Sequence, residues 1–398
     1  MKIQIITVSF VLMFIFTCKA GAVDLGGIAV HGFISQGYLL SDENNYLGKS
    51  SDGSFQFNEL GINFSKELTE DLRIGIQFFS RDLGNVGNNE VEIDWAYGDY
   101  RWQDWLGLRA GIIREVHGLY SETRDFDMLR TSILLPQSVY SELDRDFFTR
   151  LMGCGIYGNI FISKLGSISY NFMAGTQNLK EDGGSSQWVE ASGLFDVDNW
   201  DVGVIYNGSL VWNTPLQGLR LSATGLKSTD MQQTLKTTVP LGPVPVGTKL
   251  TNDITDFYNY VFSGEYTWEQ LTLTAEYMKE KLETEIPNFR TGVNRPEAYY
   301  FSATYRFTDW LEIGSYYSVY YIDEDDKDGD NFKNRGLPDF LGWQKDFAVS
   351  TRFDINEYWV FKLEGHLIDG AAQLLPQVNP DGREEDWFLF AAKMTFSF

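Results

Sequence analysis

The 398-residue chain is 43% hydrophobic and 22% charged, with 2 Cys and 55 acidic against 32 basic residues, a formal net charge of −23. This balance excludes a disordered chain, a disulfide scaffold and a four-cysteine zinc site, and it argues against nucleic acid as a partner. Beyond the first two dozen residues no stretch approaches the roughly 18 uncharged apolar residues of a membrane helix, so a helical membrane protein is excluded as well.

The chain opens with Lys2, an apolar run from Ile3 to Phe16, and then Thr17, Cys18, Lys19, Ala20, Gly21 and Ala22. Charged, apolar and small residues in that order predict a secretory signal over 1–22, cleaved after Ala22, with 23–398 as the exported domain. Cleavage leaves Cys154 as the only cysteine, so the fold must be held without an intramolecular disulfide.

From residue 28 onward apolar and polar residues alternate with a period of two. Leu72, Ile74, Ile76 and Phe78 oppose Arg73, Gly75, Gln77 and Arg81; Tyr299, Phe301, Ala303, Tyr305 and Phe307 oppose Tyr300, Ser302, Thr304 and Arg306. Sixteen strands are predicted, near 28–40, 54–66, 71–81, 90–101, 106–114, 153–163, 167–178, 200–212, 218–227, 255–268, 271–283, 297–308, 311–322, 343–355, 358–369 and 386–398. Seven tight connections (LTED, WQDW, SKLG, NTPLQG, WEQ, TDW and INEY) alternate strictly with eight long ones. A transmembrane barrel with an even number of antiparallel strands predicts this two-sided pattern, with short periplasmic turns and long external loops. The fold class is therefore all-β, a 16-stranded antiparallel transmembrane β-barrel whose closure leaves no unpaired edge in lipid.

The tight turns recur as a loose repeat, GDYRWQDWLGLRAG, GEYTWEQLTLTAEY, ATYRFTDWLEIGSY and TRFDINEYWVFKLEG. Trp102, Trp105, Trp212, Trp268, Trp310 and Trp359 lie at or beside these turns, as an aromatic girdle at the headgroup level requires. The last strand sets Phe388, Phe390, Ala392, Met394 and Phe396 on one face and Lys393, Thr395 and Ser397 on the other, and ends at Phe398. Phe396 and Phe398 on such a strand resemble the signal by which the outer-membrane assembly machinery recognises its barrels.

With HGFISQGYLL opening the first strand, RAGIIREVHGLYSETRD leaving the fifth, ILLPQSVY within the third long connection and KMTFSF closing the chain, the sequence resembles the Gram-negative trimeric outer-membrane porins. The resemblance covers 28–398 as architecture and takes in both general diffusion and phosphate-selective porins. It implies a homotrimer in outer-membrane lipid and lipopolysaccharide, and a third loop folded into the barrel to narrow the pore. The third long connection, 115–152, is the longest in the chain. Its candidate constriction residues, with Arg114 at its threshold, are Arg114, His117, Glu122, Arg124, Asp125, Asp127 and Arg130.

A charge on the lipid face costs about 2 to 4 kcal/mol near the midplane, so charged strand positions belong to a water-filled interior. The predicted lining includes Arg73, Glu92, Asp94, Arg109, Arg220, Arg306, Arg352, Lys362, Glu364 and Lys393. Five of these arginines (73, 109, 220, 306 and 352) fall two or three residues from the tight turns, with Glu265, Glu312 and Asp354 at a similar depth to pair with them.

The expected function is passive diffusion of small hydrophilic solutes and ions across the outer membrane, with a modest anion preference. The alternative is a plugged barrel acting as a surface receptor or adhesin through its acidic loops. A carrier of long-chain apolar solutes would need an apolar lumen and an N-terminal plug, and the few residues between 22 and the first strand leave no room for one. No enzyme is expected, since His31, His117 and His366 have no nucleophile beside them at a recognisable spacing. No cofactor or metal is expected either: with Gly329 at the sixth position of a calcium loop, DEDDKDGD is followed by Arg335 where a bidentate glutamate is required.

Overall fold

A computed structural model describes residues 26–287 and 289–398 of the chain, and the predicted signal over 1–22 lies outside them. The β segments in chain order are β1 (Ile28–Ser41), β2 (Asn58–Glu67), β3 (Leu72–Asp82), β4 (Glu90–Gln103), β5 (Leu106–Arg114), β6 (Arg150–Phe161) and β7 (Ser167–Thr176). They continue as β8 (Phe195–Val202), β9 (Ile205–Asn213), β10 (Leu219–Ser228), β11 (Met231–Thr237), β12 (Lys249–Trp268) and β13 (Leu271–Ile286). The remainder are β14 (Arg290–Asn294), β15 (Glu297–Thr308), β16 (Leu311–Tyr321), β17 (Trp343–Asp354), β18 (Trp359–Gly370) and β19 (Asp386–Ser397).

All belong to one antiparallel sheet. β8 runs on into β9, β10 into β11 and β14 into β15, so the segments make sixteen strands. The barrel closes where β1 pairs with β19, from Phe33 opposite Ser397 to Ser41 opposite Leu389. Gly32 and Phe398 exchange backbone hydrogen bonds of 3.0 Å at the end of this seam. A Cβ at position 32 would lie 2.7 Å from the Phe398 ring, so a glycine is needed for that ring to cover the seam.

The period of two sorts each strand into faces. On β18, Val360, Lys362, Glu364, His366 and Ile368 are buried in the interior while Leu367 points out; on β15, Phe301, Tyr305 and Phe307 are exposed on the outer surface. Trp102, Trp105, Trp268 and Trp310 are exposed at the short turns, with Trp102 packed edge-on against Trp105 at 5.6 Å.

The strands differ from the sequence expectation mainly on one side, where β8, β11, β14 and the outer ends of β12 and β13 rise beyond the predicted boundaries. Residues predicted as long loops around 228–254 and 284–296 are instead paired, Met231–Lys236 with Ile254–Lys249 and Leu282–Ile286 with Asn294–Arg290. Thr, Gln, Asn and Lys dominate these segments and read as loop, yet Met231, Gln233, Leu235 and Thr237 alternate inward with Gln232, Thr234 and Lys236 outward.

The third loop, 115–149, enters the barrel and packs against three walls. Ile133 and Leu134 meet Leu39, Phe57, Ile368 and Leu389; Phe147 meets Ile205, Leu226 and Phe257; Leu135, Val139 and Tyr140 meet Val261, Met278, Ala298 and Tyr300. The apolar core thus sits inside the barrel at the level of this loop.

Candidate functional site

Four polar clusters fix the third loop across the interior. In the first, the buried Asp127 carboxylate accepts from Lys393 Nζ at 2.7 Å and Thr395 Oγ1 at 2.8 Å, with Arg130 at 3.1 Å and Lys362 at 3.5 Å. Lys393 also contacts Glu59 of β2. Burial alone would raise the Asp127 pKa, but Lys393, Lys362 and Arg130 together hold it far below the usual carboxylate range.

In the second cluster, Arg114 bridges Asp94 (2.5 Å) and Asp125 (3.0 Å), and Arg145 approaches the same two carboxylates at 3.4 and 2.9 Å while lying over the Phe79 ring at 4.3 Å. The third joins Glu142 to Arg81 at 2.8 Å and Arg124 at 2.9 Å. Burial opposes ionisation there too, and Arg124, Arg81 and Arg145 outweigh it, holding Glu142 at about 2.

The fourth is built on carboxylates of the wall. Glu276 accepts from Tyr140 Oη (2.5 Å), Tyr300 Oη (2.7 Å), Ser263 Oγ (2.5 Å) and the Leu119 N–H (2.9 Å). Gly118 precedes that amide with φ +61°, and a Cβ there would sit 2.8 Å from Glu276 Oε1. Four strands further round, on β18, Glu364 accepts from the Ile133 and Leu134 N–H groups at 2.7 and 2.9 Å and from Ser350 Oγ at 2.6 Å. His366 lies between Glu364 (3.1 Å) and Asp346 (3.0 Å). His117 sits under Phe148, ring centroids 4.5 Å apart, with Nε2 2.9 Å from the Val139 carbonyl; burial pulls its pKa down to about 4.

The loop separates two chambers. At the short-turn end lies a cavity of about 620 Å³, lined by Glu122, Arg130, Arg220, Glu265, Arg306, Glu312 and Arg352 among others. Ion pairs line its wall: Arg220–Glu265 at 2.9 Å, Arg306–Glu312 and Arg306–Asp354 at 3.0 Å, and Arg352–Asp354 at 2.7 Å. At the long-loop end a cavity of about 460 Å³ is lined largely by aromatic and aliphatic side chains. Leu135 and Pro136 line the first chamber and Ser138, Val139 and Ser141 the second, so this stretch of the loop is the partition between them.

No family model matches the chain, and no curated protein matches its sequence. Solved structures do match it along nearly its whole length. The anion-selective porin from Comamonas acidovorans shares 11% identity over 93% of this chain and 99% of its own, with a TM-score of 0.55. The outer membrane channel DcaP of Acinetobacter baumannii shares 12% over 95% and 100%, TM-score 0.56, and Salmonella typhi OmpF, solved with daunomycin, 13% over 93% and 97%, TM-score 0.58. The fold is that of the Gram-negative outer-membrane porins.

Within this porin fold most of the residues singled out in the sequence fall into two groups. Arg130, Glu122, Arg220, Arg306 and Arg352 border the short-turn chamber. Arg114, Arg124, Asp125, Asp127, Asp94, Lys362, Glu364 and Lys393 are used in anchoring the third loop, and His117 is buried within it. Arg109 pairs with Asp99 at 3.0 Å and lies over the Tyr157 ring at 4.2 Å, and Glu92 pairs with Arg150 at 2.6 Å. Arg73 stands at the mouth, exposed, and forms no ion pair among the described residues. Phe396 lies beside Trp359 at 4.9 Å and Phe398 at 5.9 Å on the outer surface near the seam.

Glu59, Asp346 and Tyr140 do not stand out in the sequence, and Tyr300 does so only by sharing the face of Arg306. Glu59 and Asp346 share the interior face of their strands with Gly61 and Ala348, and that parity was the available signal. No sequence feature tells that Tyr140, far along an irregular loop, meets Glu276.

Proposed function

We propose that the protein is an outer-membrane channel through which small hydrophilic solutes and ions diffuse, with the third loop as its constriction and the short turns facing the periplasm. The observation that carries the reading is the charged interior of a closed barrel, divided by one anchored loop into two chambers. A lipid-facing surface could not hold these charges, and water in the short-turn chamber can. The neighbours described as a porin and a channel support the same reading.

Arg130, Arg220, Arg306 and Arg352 face Glu122, Glu265 and Glu312 in that chamber, and most are matched in ion pairs. With Asp354 pairing Arg306 and Arg352 the two signs nearly balance, which supports weak selectivity, and the modest preference for anions rests on Arg73, exposed at the mouth without an ion pair among the described residues. A homotrimer in lipid and lipopolysaccharide, inserted by the barrel-assembly machinery through the Phe396–Phe398 end, completes the proposal.

The plugged-receptor reading draws on the depth of the loop's packing, with Tyr140 only 1% exposed at the partition. Liposome swelling separates the two. Purified protein in vesicles should admit small sugars at rates that fall with sugar size; vesicles that contain folded barrel yet stay impermeable to all of them would establish the plug.

A further inference from the structure

Above the third loop the interior changes character. The risen ends of β8 and β11–β14 bring Trp200, Ile254, Phe257, Met278 and Leu282 to face Phe148 of the loop around the cavity of about 460 Å³. That volume is the size of a small-molecule site, and its mainly apolar and aromatic walls suit a ligand with an apolar body. Asp144 of the loop and Glu280 of β13 also line it.

These two carboxylates are treated differently from the acids of the anchoring clusters. Asp125, Asp127 and Glu142 each have cations of this chain at 2.7 to 3.1 Å. Asp144 and Glu280 form no ion pair among the described residues; Glu280 accepts from Asn259 Nδ2 at 3.1 Å, and Asp144 has Ser141 and Trp188 beside it. The flanking Lys279 and Lys281 turn to the outside, where they meet Glu324, Asp256 and Glu283. Arg290 is the one other charged residue of the lining, on the exposed rim.

We propose that the long-loop chamber is a binding site for an organic cation, a molecule with an apolar or aromatic body and one amine or quaternary ammonium group. The body would fill the aromatic and aliphatic cavity; burial favours the protonated form of Asp144, and a bound cation would draw it, with Glu280, to the ionised form in a partly desolvated setting where attraction is stronger than in water. The indole of Trp200 adds a face suited to a cation. An anion of the same shape would gain the same apolar contact and meet both carboxylates unfavourably.

The test uses a matched pair of probes, tetraphenylphosphonium and tetraphenylborate, with tetramethylammonium as the small cation, titrated calorimetrically into the purified full-length barrel in amphipol. Because it reads binding alone, its outcome is independent of whether the barrel conducts. Tetraphenylphosphonium should bind at least about tenfold tighter than tetraphenylborate, a ratio well within the attraction of one partly screened charge pair, and at least about tenfold tighter than tetramethylammonium, which has the charge without the apolar body. Glu280→Gln and Trp200→Ala should each weaken it several-fold, with thermal unfolding reporting that each variant is folded. Equal affinity for tetraphenylborate, undetectable binding of tetraphenylphosphonium to wild-type protein, or affinity unchanged in folded Glu280→Gln with Asp144→Asn would each overturn the assignment.

Discussion

Asp127 ties the third loop to the wall, buried against Lys393, Lys362 and Arg130, and Lys393 is in turn shared with Glu59. Removing one member of a buried ionic cluster strands the others, at a cost of about 3 to 5 kcal/mol. Asp127→Asn should therefore loosen the third loop by that amount, read as faster protease cleavage within 115–149 at unchanged barrel content. Asp127→Asn combined with Lys393→Met should cost less than the two single changes added together, because the second removes a charge that the first left unpaired. Additive costs would show that the cluster does not act as a unit.

Acid should release the same loop in two stages. His117 is held neutral, its pKa pulled by burial from 6.5 to about 4, so docking loses stability as the pH falls from about 6.5 towards 4. Glu142 is held down from 4.5 to about 2, so its contribution is complete above about 4.5 and is lost as the pH falls through about 2. A spin label at Leu129, which is exposed, introduced with Cys154→Ser, should report mobility beginning below pH 6.5. His117→Asn should abolish the upper stage and leave the lower. A single transition, unchanged by that substitution, would contradict the assignment.

At the scale of elements, the turn at Gly118 lets the loop backbone reach Glu276. Its φ of +61° is disfavoured for a residue with a Cβ by about 1 to 2 kcal/mol, before the contact with Tyr140 and Glu276 is counted. Gly118→Ala should weaken docking by more than that range, whereas Gly336→Ala, in a long loop with φ +75° and open space around it, should cost only the conformational part. Comparing the two variants by thermal unfolding separates contact from conformation; equal losses would remove Gly118 from the anchoring of the loop.

The barrel strands were legible in the sequence because each carries its period of two and each short turn its own residues, as with WQDW between β4 and β5. Sixteen strands and their alternate short and long connections follow from local pattern alone. The raised ends of β11 and β12 were not legible, because Thr234, Lys236, Asn252 and Thr251 carry strand pairing without an apolar signature. The charged interior face was readable by parity, including Arg306 beside Glu312 and Arg220 beside Glu265. The anchoring clusters were not, because an irregular loop has no period and Asp127 lies 266 positions from Lys393 in the chain.

For the whole molecule, the proposed channel sets the short-turn chamber and the partition in series, so its conduction would depend on both. Replacing Arg220 and Arg306 by Gln should leave Glu265, Glu312 and Asp354 without those partners and turn the interior towards cations. The reversal potential in a potassium chloride gradient should shift accordingly, and a potential unchanged by both substitutions would place selectivity elsewhere. Single-channel recording of the purified protein in a planar bilayer decides whether the barrel is an open channel constricted by its third loop. An open trimeric channel should show stable conductance in groups of three steps, increased by Asp127→Asn as the loop loosens. Electrical silence from a correctly folded barrel, in wild type and variant alike, would contradict it.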